Sequence, residues 1–507
     1  AKHLKNVVNN KICSTCKGQR LNSKILSSKI MSKNISDFTQ MTIKENLEFL
    51  NKLEDPTAKY IIDPLKKQLE ALEYIGLSYL TLNRVTTTLS GGEAQRLKLI
   101  RHLNSSLSDL VYIIDEPSVG LHPEDIAKIN EILKSLKEKG NTVLIVEHDP
   151  DVIKEGDYII DMGPGSGKNG GEITFEGTYN ELLSSNTSTG NALRNKHNLK
   201  ENIREANHFY NIGPVTQNNL NNVKTSIPKH VLTVLTGVAG SGKSTLVKAG
   251  FENNDHTIFI DQKAVQGSNR SNLLTYLGVF DSVRSYFSKE TGLNKAMFSY
   301  NSKGACPNCG GKGYIKTELA FMGDFSQTCE VCHGKRYKQE VLDATIDGYS
   351  IADVLNLTVD EGIIFFDKKN DIKSKLQSVS KTGLNYMSLG QPLSTLSGGE
   401  IQRVKLGQHL DEEIKNSIFI FDEPTTGLHE SDIPILMECF DDLIDQNNTV
   451  ILIEHNLSIM CEADWIIDVG PGPGLDGGKV QFSGTPKNFI DSSETLTSKH
   501  LKRYIKQ

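Results

Sequence analysis

Residues 237–244 read Gly-Val-Ala-Gly-Ser-Gly-Lys-Ser and follow a β-rich run at 231–235, Val-Leu-Thr-Val-Leu. The pattern Gly-x-x-x-x-Gly-Lys-Ser is typical of a phosphate-binding loop between a strand and a helix, whose glycines let backbone N–H groups face phosphate oxygens. The sequence therefore predicts an α/β fold that binds a nucleotide; a glycine turn without a ligand is the alternative. The residues expected to bind the nucleotide are Gly237, Gly240, Ser241, Gly242, Lys243, Ser244 and Thr245.

Two acidic residues follow a later hydrophobic run and predict a magnesium and water site. The run at 416–421 leads into Asp422 and Glu423. Asp422 and Ser244 are expected to bind Mg²⁺, whereas Glu423 would orient the attacking water. His455 ends the next β-rich run and Gln262 follows the run at 257–261, so both are expected at this site. A core or capping role is the alternative for each of these two taken singly.

The motif Leu-Ser-Gly-Gly-Glu occurs at 89–93 and again at 396–400. Ser-Gly-Gly at a helix N-terminus presents hydrogen-bond donors to an anion, and it is the signature of ATP-binding cassette (ABC) ATPases, where it closes on the nucleotide of the opposite half. The first signature is expected to complete the site built on Lys243, and the second to face another phosphate loop. The residues concerned are Ser90, Gly91, Gly92, Ser397, Gly398 and Gly399.

The chain contains an internal repeat. Ser90 and Ser397 are 307 positions apart, as are Asp115 and Asp422, while Cys16 and Cys332 are 316 apart. A duplicated domain explains these constant offsets. Subtracting the offsets from the phosphate loop gives a position before residue 1, so we expect two ABC halves of which the first lacks its N-terminal part.

Four cysteines predict a metal site, at Cys306, Cys309, Cys329 and Cys332. Two Cys-x-x-Cys pairs separated by 19 residues have the spacing of a four-thiolate zinc site, which would be structural because no coordination position is left open. A redox pair is the alternative. By the repeat, Cys13 and Cys16 would be half of a second zinc site whose partners lie upstream.

Composition excludes some classes of protein. The chain has 507 residues, enough for two to four domains, and no run of 18 apolar residues or apolar N-terminal signal segment. Six of its eight cysteines lie in Cys-x-x-Cys pairs, which favours metal binding in a reducing cytoplasm. The net charge is −6, yet residues 262–340 contain 11 Lys and Arg against 6 Asp and Glu. This stretch could contact a phosphate backbone or be an ordinary solvated surface.

The motifs divide the chain into six predicted segments. The segments are the remainder of a first zinc and signature insertion (1–81), the C-terminal part of the first cassette (82–183), a polar linker (184–206), the phosphate-loop part of the second cassette (207–261), a zinc-bearing insertion (262–395) and the rest of the second cassette with the C-terminal tail (396–507).

Together these motifs resemble the UvrA family, the damage-sensing ATPase of the bacterial excinuclease. The most specific pieces are Glu-Val-Cys-His-Gly-Lys-Arg-Tyr at 330–337, Leu-Gly-Gln-Pro at 389–392 and Ala-Asp-Trp-Ile-Ile-Asp-Val-Gly-Pro at 463–471. The resemblance implies ATP, Mg²⁺ and Zn²⁺ as cofactors, a homodimer without a membrane part, damaged duplex DNA and a UvrB-type helicase subunit as partners, and no nuclease activity of its own. It implies a role in nucleotide excision repair and the SOS response.

The expected DNA-facing stretch departs from the family pattern. The family usually has a Pro- and Arg-containing run after the position of Gln262, whereas residues 263–270 hold one lysine and one arginine. Fewer phosphate contacts would weaken DNA binding and its salt dependence. A UvrA-like paralogue without repair function, of the antibiotic-tolerance type, is therefore the alternative. The candidate DNA-binding residues are Lys263, Arg270, Arg284 and Lys303.

Overall fold

The computed structural model describes residues 11–53, 55–89, 91–103, 107–195, 198–252, 254–263, 271–319, 323–412 and 414–506. These residues form two units. The first unit comprises the described parts of Ala1–Glu147 with Val238–Gly242 and Gly470–Lys479, and the second comprises those of His148–Gly237, Lys243–Val469 and Val480–Gln507.

The first unit is a helical segment followed by a short parallel sheet. Its helices are α1 (Ser23–Leu26), α2 (Ile35–Gln40), α3 (Ile43–Asn51), α4 (Lys59–Tyr74), α5 (Gly91–Leu103) and α6 (Pro123–Glu138), and its strands are β1 (Val111–Asp115) and β2 (Thr142–Val146). Helix α3 begins at a capping box, because Thr42 Oγ1 accepts from the backbone N–H of Glu45 and the Glu45 carboxylate accepts from that of Thr42.

Strands β1 and β2 carry apolar side chains that the first unit leaves exposed. Within the described residues β1 pairs only with β2, in parallel, with Ile113 opposite Leu144. Helix α6 packs its apolar stripe, which includes Ile129, beside β2. Ile113 is nevertheless 73% exposed and Leu144 is 50% exposed. The strands thus have the apolar composition of a buried sheet, although the described residues of the first unit leave these side chains exposed.

The second unit is built on a six-stranded sheet with the order β16-β15-β7-β14-β13-β8. Its strands are β3 (Ile159–Gly163), β4 (Glu172–Gly177), β5 (Phe209–Gln217), β6 (Leu220–Pro228), β7 (Leu232–Thr236), β8 (Thr257–Ile260), β9 (Tyr314–Leu319), β10 (Gly323–Thr328), β11 (Thr345–Ile346), β12 (Tyr349–Ser350), β13 (Ile418–Asp422), β14 (Thr449–Ile453), β15 (Trp465–Gly470) and β16 (Lys479–Gly484).

Strands β15, β7, β14, β13 and β8 are parallel neighbours, so their carboxyl ends meet at one edge of the sheet. Every residue of β7 and β14 is buried. Burial on both faces explains their continuous apolar composition. The phosphate loop, Gln262, Glu423 and His455 follow four of these strands, and such an edge is where open α/β sheets bind their ligands.

The helices of the second unit cover both sheet faces and form the insertion. They are α7 (Pro150–Ile153), α8 (Tyr179–Ser184), α9 (Ser188–Arg194), α10 (Lys243–Phe251), α11 (Leu273–Tyr276), α12 (Phe280–Thr291), α13 (Gln339–Leu342), α14 (Ile351–Asn356), α15 (Val359–Phe365), α16 (Asn370–Val379), α17 (Gly398–Leu410), α18 (Ile433–Asp445), α19 (Leu457–Glu462), α20 (Pro486–Ser492) and α21 (Leu496–Lys506). The insertion has a core of its own, around Phe287, Phe298 and Phe366.

The predicted linker at 184–206 is more ordered than its polar composition suggests. It contains helix α9. Arg204 near its end donates to the carboxylates of Asp441 at 2.7 Å and Asp445 at 3.0 Å, and the backbone N–H of Arg204 donates to Asp464. Charged side chains therefore attach this segment to the second cassette.

No helix within the described residues is both long and apolar enough to cross a membrane.

Candidate nucleotide and metal sites

The phosphate loop leaves β7 at Gly237 and enters α10 at Lys243. Gly237 has φ +130° and Gly240 has φ +73°, both in the region that favours glycine. A Cβ on Gly237 would lie 2.0 Å from the carbonyl oxygen of Val469, so the close approach also requires glycine there. Lys243 is buried, and its Nζ donates to the carbonyl oxygen of Gly237 over 2.8 Å. The ammonium group thus lies inside the turn, where a phosphate-binding lysine is needed.

A hydroxyl and a carboxylate converge beside the loop. Ser244 Oγ lies 3.4 Å from Asp422 Oδ1, and Asp422 Oδ2 lies 3.9 Å from Lys248 Nζ. A serine oxygen and a carboxylate oxygen at this spacing suit a hard divalent cation. The sequence prediction paired the same two residues.

Glu423 follows Asp422 in a constrained backbone conformation. Its φ is +54°, an uncommon value for a residue with a side chain, and Glu116 in the first half has φ +44°. Surrounding hydrogen bonds hold this conformation, since the N–H of Glu423 donates to Ile453 O at 2.9 Å and its carbonyl accepts from Gln262 Nε2 at 3.2 Å. Backbone strain of this kind clusters at functional sites.

Gln262 and His455 lie at the strand ends where the sequence placed them. Gln262 Nε2 also donates to Thr426 Oγ1 at 2.9 Å, so this side chain joins the end of β8 to the segment after Glu423. His455 is buried, and the Glu454 carboxylate accepts from its backbone N–H at 2.8 Å. Glu454 also accepts from the Thr425 N–H at 3.0 Å. Hydrogen bonds therefore connect the strand ends that carry the predicted catalytic residues.

The second signature begins helix α17 with a capping box. Ser397 Oγ accepts from the N–H of Glu400 at 3.2 Å, and the Glu400 carboxylate accepts from the N–H of Ser397 at 2.8 Å. A Cβ on Gly399 would lie 2.2 Å from Thr426 O, so glycine is required at that position. In the first half α5 begins at Gly91, while Ser90 lies outside the described residues.

Sequence reasoning missed two side chains of α17. Gln402 Nε2 donates to the carbonyl oxygen of Asp422 at 2.6 Å, and Lys405 Nζ donates to Asp261 O at 2.7 Å and Asp261 Oδ1 at 3.0 Å. Gln95, the counterpart of Gln402, makes the same contact with Asp115 O at 3.2 Å. The repeat offset of 307, which relates Gln95 to Gln402, was the signal in the sequence that could have identified these two residues.

The four cysteines of the insertion converge on one point. Their ligand atoms all lie within 4.8 Å of one another and all four residues are buried, at Cys306, Cys309, Cys329 and Cys332. The Sγ atoms of Cys309 and Cys332 are 3.7 Å apart. Zinc–sulfur bonds of about 2.3 Å in a tetrahedron put sulfurs about 3.8 Å apart, so this arrangement fits a zinc ion.

Hydrogen bonds and burial shift the pKa values of two of the four thiols in opposite directions. The backbone of Cys332 and the amide of Asn308, which donates to Cys329 Sγ at 3.3 Å, lower the pKa of Cys329 to about 6. Burial and the neighbouring thiols raise the pKa of Cys332 to about 12. The N–H of Gly313 donates to Cys309 Sγ at 3.2 Å. Such donors orient the sulfurs of a metal site.

Cys13 and Cys16 repeat the turn of the second pair. The N–H of Lys17 donates to Cys13 O at 2.8 Å, and that of His333 donates to Cys329 O at 2.8 Å. Lys17 has φ +50° and His333 has φ +48°. The backbone of the two turns is therefore alike, while Cys13 itself is exposed. Their role as half of a zinc site stays a prediction.

The candidate DNA-binding residues differ in their surroundings. Lys303 is exposed, and Lys263 is 84% exposed with its Nζ 3.4 Å from Asp261 Oδ2. Arg284 pairs with Asp281 and packs over the ring of Phe280, leaving one quarter of its side chain exposed. Arg270 lies outside the described residues. Lys303 and Lys263 can thus reach a phosphate more readily than Arg284.

Comparison with known proteins identifies the cassette and the family. The ABC transporter family profile matches residues 220–426. The UvrABC system protein A of Clostridium perfringens is 42% identical over 97% of the chain and 57% of its own length, and that of Bacillus subtilis is 40% identical over 98% and 56%. The crystal structure of UvrA2 from Deinococcus radiodurans superposes with a TM-score of 0.91 at 37% identity, covering 97% of this chain and 66% of that one.

The chain thus spans a little over half the length of these curated relatives. The similarity to the UvrABC system proteins covers 97–98% of this chain. The chain belongs to the UvrA family of ABC ATPases.

Proposed function

We propose that this chain is the ATP-hydrolysing, DNA-binding component of a nucleotide excision repair complex. It would recognise damaged duplex DNA and load a UvrB-type helicase subunit, acting as a homodimer in the cytoplasm. The observation that supports this most is the 42% identity over 97% of the chain to a UvrABC system protein A. The convergence of loop, magnesium residues and water-orienting glutamate at one sheet edge supports the ATPase part.

In the proposed reaction each group has one task. Lys243 and the loop N–H groups would hold the phosphates of ATP, and Ser244 and Asp422 would hold Mg²⁺, which would supply positive charge to the phosphates. Glu423 would orient the attacking water, His455 would contact the γ-phosphate, and Gln262 would couple Mg²⁺ and the water to the insertion that follows it. The pairing of the first signature, Ser90, Gly91 and Gly92, with this nucleotide stays a prediction, as does the second signature's role.

The zinc proposal concerns structure rather than catalysis. Cys306, Cys309, Cys329 and Cys332 would hold one Zn²⁺, which fixes the base of the β9–β10 hairpin. Exposed lysines would supply positive charge for DNA, and the candidates are Lys303, which precedes Cys306 in the chain, and Lys263, which follows β8. Recognition would depend on duplex deformation, because phosphate contacts carry no base sequence information.

The ATPase proposal is tested by comparing Glu423→Gln with Glu116→Gln. The two residues are counterparts 307 positions apart, with similar backbone conformations. Losing the water-orienting carboxylate at Glu423 should lower ATP turnover at least about 100-fold while ATP binding persists. Glu116→Gln should have a smaller effect, because Lys243 and Ser244 belong to the half of Glu423. Equal turnover in wild type and Glu423→Gln would refute the proposed catalytic role.

The repair proposal is tested by binding matched intact and lesion-bearing duplexes across a salt series. Preference for the lesion with a steep salt dependence supports a repair sensor. Weak binding to both duplexes, independent of salt, would contradict it and favour a paralogue without repair function.

A further inference from the structure

A tyrosine ahead of each signature motif makes the same hydrogen bond in both halves. Tyr79 Oη donates to Glu93 Oε1 over 2.6 Å, and Tyr386 Oη donates to Glu400 Oε1 over 2.8 Å. Both members of the pair are shifted by the repeat offset of 307. A bond that persists between two diverged halves indicates that it matters to the signature itself, since Glu93 and Glu400 are the last residues of the two motifs.

The signature glutamate makes several hydrogen bonds at the first turn of its helix. In the second half the Glu400 carboxylate also caps Ser397, the signature serine. In the first half Glu93 is 5% exposed, and Arg84 Nη2 lies 3.2 Å from its second carboxylate oxygen. A buried carboxylate is costly unless it is hydrogen-bonded, so the tyrosine hydroxyl fixes the position of this side chain.

The ring of Tyr79 has a second contact, with the phosphate loop. A Cβ on Gly240 would lie 2.8 Å from Tyr79 Cζ, so the ring packs directly on the loop backbone. Gly474, whose N–H donates to Gly240 O at 3.1 Å, is equally close, because its Cβ would lie 2.6 Å from Tyr79 Cβ. Tyr79, Glu93, Gly240 and Gly474 all belong to the first unit.

The second half repeats only part of this arrangement. A Cβ on Gly167, the counterpart of Gly474, would lie 3.0 Å from Tyr386 Cβ, so the tyrosine–glycine contact is present in both halves. The second contact, with Gly240 of the phosphate loop, is made by Tyr79 and not by Tyr386. Burial and the charge of Glu93 raise the pKa of the Tyr79 hydroxyl, which therefore remains a donor at every physiological pH.

We propose that Tyr79 is a positioning residue for the nucleotide site. Its ring contacts the phosphate loop at Gly240 and its hydroxyl bonds the signature glutamate Glu93, so that it fixes the position of the one relative to the other. This inference rests on the proposed ATPase function. A nucleoside triphosphate bound to the loop N–H groups would lie next to the tyrosine ring. Tyr79 would therefore position both the loop that binds the phosphates and the start of α5. Loss of the hydroxyl should leave the loop able to bind nucleotide but loosen the signature.

The experiment compares Tyr79→Phe with Tyr386→Phe in the full chain. Each change removes one hydroxyl that bonds a signature glutamate, and each keeps the ring. Affinity is measured with a fluorescent, non-hydrolysable ATP analogue, turnover by phosphate release, and folding by thermal unfolding. Tyr79→Phe should lower kcat about tenfold and change analogue affinity and KM less than threefold. Tyr386→Phe should keep kcat within twofold, although both variants lose the same kind of bond.

The outcomes separate this inference from the proposed function. Unchanged kcat in Tyr79→Phe, or equal losses in both variants, would overturn the positioning role while leaving the ATPase intact. A loss of analogue affinity as large as the loss of kcat would also overturn it, because the tyrosine would then serve the loop alone. A wild-type chain without ATP turnover would refute the proposed function and this inference together. Should Tyr79→Phe unfold at a lower temperature than Tyr386→Phe, both turnover rates are measured again at a temperature at which each variant is fully folded. The tenfold loss should persist in Tyr79→Phe there, and a kcat within twofold of wild type overturns the role.

Discussion

Replacing Lys405 with methionine should detach the end of β8 from the signature helix α17. Lys405 Nζ donates to Asp261 O at 2.7 Å, Asp261 Oδ1 at 3.0 Å and Lys263 O at 3.2 Å, and these acceptors flank Gln262. Methionine keeps the apolar stem of the side chain and removes only the charged donor. The variant therefore tests whether α17 holds the predicted catalytic glutamine in place.

The magnitude follows from the exposure of the two partners. A hydrogen bond to a charged group contributes about 1.5–3 kcal/mol when it is well shielded. The Lys405 side chain is 18% exposed and that of Asp261 is 32% exposed, so solvent screens part of the interaction. We expect a total loss of about 2 kcal/mol, which corresponds to a fall in Tm of roughly 3 °C for a unit as large as the second one.

The contact between Lys405 and Asp261 also makes the stability of the fold depend on pH. Burial alone would raise the pKa of Asp261, but the hydrogen bond and charge of Lys405 outweigh it, so the pKa is lowered on balance. A carboxyl with a lowered pKa stabilises the fold above its unfolded pKa, and this stabilisation is lost as the pH falls through the folded value. The wild type should therefore lose more stability than Lys405→Met between neutral pH and about pH 3.

Lys98→Met is the matched control, because Lys98 occupies the same position of α5 and its side chain is exposed. Thermal unfolding and ATP turnover are measured for both variants. Lys405→Met should lower Tm and slow turnover, while Lys98→Met should change neither appreciably. Equal Tm values for the two variants, or a lower Tm with normal turnover in Lys405→Met, would refute the view that this lysine holds Gln262.

Four further outcomes are expected from burial and charge. The purified chain should contain one zinc ion at the four-cysteine site, and Cys329→Ser should lose it, which metal analysis checks. In the folded protein Cys13 should react quickly with a thiol reagent, because it is exposed and hydrogen bonds from the backbone of Cys16 lower its pKa. Cys439 and Cys461 should react only on unfolding, since burial raises each pKa to about 12. Lys303→Ala should reduce the log–log salt slope of DNA binding by about 0.9, and an unchanged slope would exclude that phosphate contact.

Much of the second cassette was predictable, because its strands are buried on both faces and its motifs follow their ends. The sequence placed one strand at 416–421, where the structure has Ile418–Asp422, and another just before His455, where the structure has Thr449–Ile453. Lys405, Tyr79 and Gly240 were not predictable as contacts. Their partners are distant in sequence, and neither a lysine on a helix nor a tyrosine in a loop carries a pattern that names its acceptor.

The predicted linker shows what composition alone leaves open. Polar and charged residues at 184–206 predict a linker, and in the structure the charge of Arg204 attaches this segment to Asp441 and Asp464. A single-sequence pattern shows that a segment is polar, but it does not show whether its charges face water or carboxylates of a neighbouring element. Only the folded arrangement distinguishes the two.

The two halves act as an internal control for which contacts belong to a signature helix as such. Gln95 and Gln402 both hold the carbonyl of the acidic residue that ends a strand, so this contact requires only β1 or β13 beside the helix. Lys405 has a partner at the end of β8, whereas its counterpart in α5 is exposed. The difference follows the sheet, because β13 is paired on both sides and β1, among the described residues, on one. What each side chain does is therefore set by the strand beside it as much as by its place in the repeat.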